Sequence, residues 1–319
     1  MKHLKIIFTF AISLVVVIFV ASCTSETNSN KVDKITMSYV TAPMNVPSIV
    51  DKQNENYKEA FSEIGIDLSY ADFNNGADQA AAVASGDVQI LNATGETSFL
   101  SSVANGSDMC ILSMYSRAPK AFGIFAKDKN IKSPQDLKGK KIAGPKGSNL
   151  HQLLIAYLKT ANLNINDVEF VNLDISAAAS ALQNGSIDAA LLGGQVAYKI
   201  EKKGIHKVTD GEGLISANIV TAASKKFVKE NPDIIEKFLK TQKELINYIN
   251  NNREECLQIT ASALSMDKND VENMYKLYDF DCTLADKDIQ SLQDTEQFLL
   301  ENNIIENHIN IKDYIYETK

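Results

Sequence analysis

The feature that most limits what this chain can fold into is a helix, strand and loop unit that recurs as an approximate internal repeat, although any two units of this kind look somewhat alike. AAAVASGDVQILNATGETSFL (residues 80–100) and AAASALQNGSIDAALLGGQVAYKI (177–200) each run from an alanine-rich helix through glycine and an acidic residue into a short apolar strand. Each then passes through a loop of small residues into another helix. Helices alternating with strands imply parallel pairing and an α/β sandwich. Two copies about 100 residues apart point to two similar lobes rather than one large domain.

The flanking segments extend the pattern. Ile35, Met37 and Tyr39 alternate with polar residues as a strand, and a loop with Pro43 and Pro47 leads to Ser48 as an N-cap. Ile49, Val50, Tyr57, Phe61 and Ile64 form one apolar helix stripe that Gly65 is placed to end. Ile66, Leu68 and Tyr70 read as a second strand, FNNGAD as a loop opening a helix over 79–84, and VQIL (88–91) as a third strand. In SPQDLKGKKIAGPKGSN (133–149), Ser133-Pro134 starts a short helix, Gly139 closes it and 141–143 is a strand. Ser148 or Asn149 then caps a helix whose Leu150, Leu153, Leu154, Tyr157 and Leu158 share a face. The last hundred residues read as helical, beginning at Asn231-Pro232 and recurring near 271–278 and 289–300, while the tail NINIKDYIYETK is a short helix or an extended finish.

The chain opens on KHLKIIFTFAISLVVVIFVASC, in which fifteen almost wholly apolar residues (6–20) precede Ala21, Ser22 and Cys23. Fifteen helical residues cover roughly 22 Å, short of the ~30 Å hydrocarbon core, so an export signal fits better than a membrane span. Val20-Ala21-Ser22-Cys23 resembles a lipobox, which implies cleavage after residue 22, lipidation of Cys23 and a lipid-anchored protein facing the exterior or periplasm. An ordinary signal peptide and an uncleaved short anchor are the alternatives. Residues 23–33 are polar and aperiodic, a solvated tether. Loss of residues 1–22 leaves 30 basic against 40 acidic residues, a formal charge of −10. Nucleic acid and anionic lipid headgroups are therefore poor partners. Cys110, Cys256 and Cys282 contain no Cys-x-x-Cys pair. They give no metal site, Cys110 reads as a buried apolar residue, and pairing of Cys256 with Cys282 stays open.

SPQDLKGKKIAGPKGSN, ALQNGSIDAALL (181–192), ASGDVQILNATG (84–95) and KKFVKENPDIIEKFLK (225–240) occur in an order that resembles the substrate-binding lipoproteins of ABC importers, in the branch serving aliphatic sulfonates, taurine and nitrate. The resemblance implies a type 2 periplasmic-binding-protein-like fold: two α/β lobes joined by two hinge crossings, with ligand between them. It places the crossings near 117–121 and 216–219, the first lobe over 34–117 plus 220–319 and the second over 118–219. It also implies a monomer that hands an unaltered solute to a permease and its ATPase, with no cofactor. The chain departs from the sulfonate pattern after Ala190, where LLGGQ stands in place of a frequent aromatic.

An oxyanion in such a cleft can be held by helix N-termini, whose free N–H groups and dipole supply partial positive charge. Candidate contacts are Thr41 and Asn45; Gly76 and Asp78; Asn92, Thr94, Gly95 and Glu96; Gly147, Ser148 and Asn149; and Gly193, Gly194 and Gln195 of the second lobe. Each Ser, Thr or Asn taken alone is equally a helix cap. Arg117, one of only two arginines, is either a ligand contact or a hinge salt bridge. Glu96 and Asp78 are candidates for a ligand ammonium, and His151 for a ligand contact or a packed side chain. No G-x-S-x-G, H-E-x-x-H or phosphate-binding Gly-rich loop is present, so catalytic residues are not expected. A neutral heterocycle such as a thiamine-precursor pyrimidine, a lipoprotein sensor and an exported enzyme are the competing readings.

Overall fold

Ten strands divide into two five-stranded sheets of the same topology in a computed structural model that describes residues 32–40, 44–73 and 76–317. The elements below belong to one compact unit, Asp33–Lys319. The first sheet contains β1 (Lys34–Tyr39), β2 (Asp67–Asp72), β3 (Ile90–Gly95), β4 (Met109–Arg117) and β10 (Asn218–Ser224), in the order β2-β1-β3-β10-β4. The second contains β5 (Phe122–Ala126), β6 (Lys141–Gly144), β7 (Glu169–Asn172), β8 (Ala189–Gly193) and β9 (His206–Asp210), in the order β7-β6-β8-β5-β9. In each, the strand of the duplicated wording is central: β3 in one, β8 in the other. The expected two-lobed α/β fold is what the chain adopts, with one crossing between β4 and β5 and the return between β9 and β10.

The sheets are mixed, which corrects the expectation of parallel pairing. β1/β2, β1/β3, β6/β7 and β6/β8 are parallel, and β10 and β5 pair antiparallel with both of their neighbours. The reason lies in the crossings: β5 and β10 are entered from the other sheet, so no helical crossover fixes their direction.

Twelve α-helices cover the faces among the described residues: α1 (Val46–Asn54), α2 (Asn56–Ser62), α3 (Gly76–Ser85), α4 (Glu96–Ala104), α5 (Asn149–Lys159), α6 (Ile175–Asn184), α7 (Gly194–Lys202), α8 (Lys225–Glu230), α9 (Pro232–Asn251), α10 (Arg253–Leu264), α11 (Lys268–Tyr275) and α12 (Asp286–Glu301). One face of the first sheet buries Leu91 and Val220 beneath Val83 of α3, Phe99 and Val103 of α4, and Leu292 and Leu299 of α12. On α2, Tyr57 stacks on Phe238 of α9 with ring centroids 5.1 Å apart. The second sheet packs Phe125, Ala143 and Leu192 against Ala178 and Leu182 of α6 and Ala197 and Ile200 of α7. Alanine on α6 lets that helix sit close to the strands, and Asp174 and Gly185 cap its two ends.

Two local readings are revised, and two left open are resolved. The single helix expected from Ser48 to Ile64 is two, because Glu55 takes φ +56° and breaks it; the start moves to Asn45, with Ser48 buried inside. β3 begins two residues after Val88, since the turn at Gly86 is still closing there. The tail combines a 3₁₀ turn, Ile311–Tyr314, with an extended finish in which the Tyr316 N–H donates to the Ile111 carbonyl on β4. Cys110, Cys256 and Cys282 are all free thiols, with Cys110 and Cys256 buried.

Candidate functional site

The parallel strands of the two sheets end toward one another, and four helices begin where β1, β3, β6 and β8 finish. These starts are the N-caps Asn45 of α1, Gly95 of α4, Ser148 of α5 and Gly193 of α7. Ser148 caps its own helix, accepting from the His151 N–H at 3.4 Å. Asn45, Gly95 and Gly193 supply no side-chain cap; of the first-turn N–H groups, that of Ser48 donates to the Tyr115 hydroxyl at 3.2 Å and that of Thr97 to Asn149 Oδ1. Glycine at 95 and 193 is a matter of room. A Cβ at Gly95 would stand 3.2 Å from Asn149 Oδ1, and one at Gly193 would stand 3.3 Å from the Phe122 ring.

The lobes touch directly at this seam. Thr97 donates through its hydroxyl (2.6 Å) and its N–H (3.3 Å) to Asn149 Oδ1, and Ser98 Oγ donates to the Gly147 carbonyl at 3.2 Å. Asn149 Nδ2 donates to the Asn218 carbonyl at 3.0 Å, and Gln152 Nε2 to Thr295 Oγ1 at 3.4 Å. On another helix pair, Asp270 of α11 accepts from Tyr198 (2.9 Å) and Lys202 (2.6 Å) of α7. A cavity of about 40 Å³ lies beside this contact, lined by Lys120, Phe122, Gly194, Tyr198, Met274 and Tyr278. The Tyr278 hydroxyl is buried there without a hydrogen-bond partner.

Beneath the start of α1 lies a second polar group. Tyr115 and Ser48 share a hydrogen bond of 2.8 Å, Asn92 Nδ2 donates to Ser48 Oγ at 3.3 Å, and Asn92 Oδ1 is buried without a partner. Thr94 is buried in the same strand, and Asn45 donates through Nδ2 to the Val40 carbonyl.

The structure thus brings Asn92, Thr94, Gly95, Glu96, Gly147 and Asn149 to one seam, with Asn45, Ser148, Gly193 and Gly194 at the adjoining helix starts. Gln195 follows in the first turn of α7, half-buried. Gly76 stands behind Ser98, whose Cβ would lie 2.5 Å from a Cβ built at that position, and Asp78 is exposed in the first turn of α3. Thr41 and Cys23 lie outside the described residues.

Three expected contacts are corrected. Arg117 spends all five guanidinium donors inside the first lobe, on both Asp288 oxygens (2.6 Å each), Asp279 Oδ2 (3.3 Å), and the carbonyls of Asp281 (2.9 Å) and Thr283 (2.8 Å). It is a structural ion pair. His151 lies two residues past Asn149, a turn of about 200° around the helix, and faces Phe170 of β7 at 4.7 Å between centroids. Burial, with the charge of Lys146 adding, lowers its pKa to about 4, so the ring is neutral. Glu96 is no free acceptor for an ammonium either: both its oxygens are taken by Asn218, at 3.1 and 3.0 Å. Thr97, at the end of the candidate loop 92–97, completes the seam together with Gln152, Asn218 and Thr295, which escaped the sequence reading, although a lone Asn at the head of the apolar run IVTAA is a visible signal for one of them.

A cavity of about 1150 Å³ lies elsewhere among the described residues. It runs between α9 and the segment after α11, floored by Leu112 and Ser113 of β4, and contains no helix start and no residue of the second sheet. Among the described residues, no three His, Cys, Asp or Glu side chains converge as metal ligands.

Residues 49–256 match the NMT1/THI5 like family, about two thirds of the chain. The chain belongs to that family. Among relatives of this NMT1/THI5 like protein is a putative aliphatic sulfonates-binding protein of Bacillus subtilis, 27% identical over 277 residues that cover 85% of this chain and 83% of the relative. The taurine-binding periplasmic protein of Escherichia coli is 31% identical over 183 residues, 56% of each chain. Among solved structures, the alkanesulfonate-binding protein SsuA from Xanthomonas axonopodis pv. citri, bound to MOPS, superposes with a TM-score of 0.82 at 19% identity, covering 90% of this chain and 99% of that one. The desulfurization enzyme DSZB shares the fold at a TM-score of 0.66 and 16% identity, over 89% of this chain and 96% of that one. The NMT1/THI5 like chain therefore has the two-lobed binding-protein architecture.

Proposed function

We propose that this protein is the solute-binding component of an ABC importer, capturing a small sulfonate between its lobes and delivering it unaltered to a membrane permease, with a lipid on Cys23 as its anchor. The observation that carries the reading is the convergence of helix starts from both sheets, three of them without a side-chain cap. A sulfonate is a tetrahedral monoanion that accepts N–H bonds from several directions. Helix N-termini hold such a group with roughly half a positive charge each and no mobile counter-ion. This matters for a chain whose net charge opposes an approaching anion. The relatives named for sulfonates and taurine support the same class.

Capture works as a two-state closure. A ligand that touches N–H groups of both lobes binds the closed arrangement better than the open one, and a few kcal/mol of preference shifts the population. Asn149, with Gln152, Tyr198 and Lys202, is a side chain through which the second lobe grips the first. Asn149→Ala removes its bonds to Thr97 and to the Asn218 carbonyl, and is expected to weaken ligand binding about tenfold while leaving the fold intact.

Titration calorimetry with taurine, ethanesulfonate, nitrate and a hydroxymethylpyrimidine, followed by mass spectrometry of the recovered molecule, tests the assignment. One saturable site for a sulfonate, recovered unchanged, is the expected result. Binding of the pyrimidine alone, or release of a desulfonated product, would overturn it.

A further inference from the structure

We propose that Glu96 is a buried proton switch at the second crossing: neutral, it keeps the two lobes packed through Asn218 and Asn149, and ionised, it loosens that seam. The position is unusual. Glu96 is the first residue of α4 and its side chain has no exposed surface. Its Oε1 accepts the backbone N–H of Asn218 and its Oε2 accepts Asn218 Nδ2. Asn218 is the first residue of β10, where the chain re-enters the first sheet.

From Asn218 the contacts spread to both lobes. Its carbonyl accepts Asn149 Nδ2 from α5, and Asn149 Oδ1 returns to Thr97, the neighbour of Glu96, closing a ring across the seam. Asn218 Nδ2 also donates to Ser291 Oγ at 2.9 Å, and Ser291 bonds Ser216 of the same crossing. One carboxyl thus fixes the segment on which the lobes pivot.

The charges around it decide its state. β10 and α5 present Asn218, Asn149 and Gln152, all neutral, and α12 presents the Thr295 hydroxyl and one charge, Asp288, already paired with Arg117 of β4. No cation bonds Glu96, so ionisation would leave a buried charge uncompensated. Burial raises its pKa to about 8 against the N–H groups of Asn218 and the Thr295 hydroxyl, and Asp288 adds to the rise. The two Asn218 groups can only donate, which leaves the Thr295 hydroxyl oxygen as the neighbour able to accept the proton of the neutral acid. That oxygen also accepts Gln152 Nε2 from the second lobe, which joins the acid to a second bond across the seam.

The sign follows from linkage. A carboxyl whose folded pKa lies above its unfolded value near 4.5 stabilises the packed seam below that value, and the contribution is lost as pH rises through about 8. Hydrogen exchange of ligand-free protein between about pH 6 and 9, corrected for intrinsic exchange, should show protection at residues 216–220 and 149–152 falling about tenfold or more, and Glu96→Gln should flatten that dependence. Infrared difference spectra with carbon-13-labelled glutamate should show one carboxylic-acid band titrating near pH 8. An equal pH dependence in the Gln variant would overturn the switch. If that variant does not fold, the wild-type spectrum decides, and a carboxylate already ionised at about pH 6 refutes the proposal. No ligand enters either measurement, so failure here leaves the solute assignment standing.

Discussion

Replacing Arg117 with alanine is expected to lower the stability of the protein by about 3–5 kcal/mol, read as a shift in the urea midpoint at unchanged slope. The size follows from what is left behind. The Asp288 side chain is only 3% exposed, and without the guanidinium its remaining partner is the Ala285 N–H at 2.9 Å. Burial works to raise the pKa of Asp288, and the hydrogen bonds and charge of Arg117, with the Ala285 amide, overcome it and hold the carboxyl below its ordinary value. Arg117 in turn is raised, chiefly by its hydrogen bonds to Asp288. The pair therefore stabilises the fold above the unfolded Asp value of about 3.9, and the contribution fades as pH falls through the lower folded value. Asp288→Asn should cost less, because it removes the charge that Arg117 answers while leaving a polar group that still accepts a hydrogen bond. Since Arg117 points no donor at the seam, sulfonate affinity of whatever fraction stays folded should be nearly unchanged. A large affinity loss without a stability loss would restore the arginine to the ligand site.

What the sequence disclosed, and what it hid, divides by distance along the chain. The duplicated unit was legible because apolar periodicity and glycine placement are local, and the structure puts β3 and β8 in matching central positions. The Ser133 cap and the start of α5 were legible for the same reason: Ser133 and Asp136 form a capping box at 2.9 Å, and Ser148 caps its own helix. The break between α1 and α2 was hidden because Glu55 adopts a left-handed conformation that glycine usually marks. The partners of the site residues were hidden more deeply. Arg117 meets Asp288 across 171 residues, and Glu96 meets Asn218 across 122. Nothing local distinguishes a carboxylate that answers an arginine from one that faces water. Helix starts could be read as candidates, whereas the division into cap, seam and ion pair required the fold.

The hinge offers a second test, by steric means. Gly211 follows β9, and its N–H donates to the carbonyls of Pro119 (3.1 Å) and Phe122 (3.2 Å), so the two crossings touch at this residue. A Cβ there would lie 2.7 Å from the Pro119 carbonyl oxygen and 2.8 Å from Ile215 Cγ1. The first of these is backbone and cannot rotate away, so the crossings must separate. Gly211→Val is expected to cost about 1–3 kcal/mol of stability and to weaken sulfonate binding tenfold or more, because the strain falls on the pivot rather than within a lobe. Gly213→Ala is the matched control. At φ +74° it strains the backbone by about 1 kcal/mol, but nothing lies within 4 Å of the added methyl. Calorimetry for affinity and small-angle scattering for the separation of the lobes distinguish the two. If Gly213→Ala weakens binding as much as Gly211→Val, affinity is responding to general destabilisation, and closure about the paired crossings is not how this protein holds its ligand.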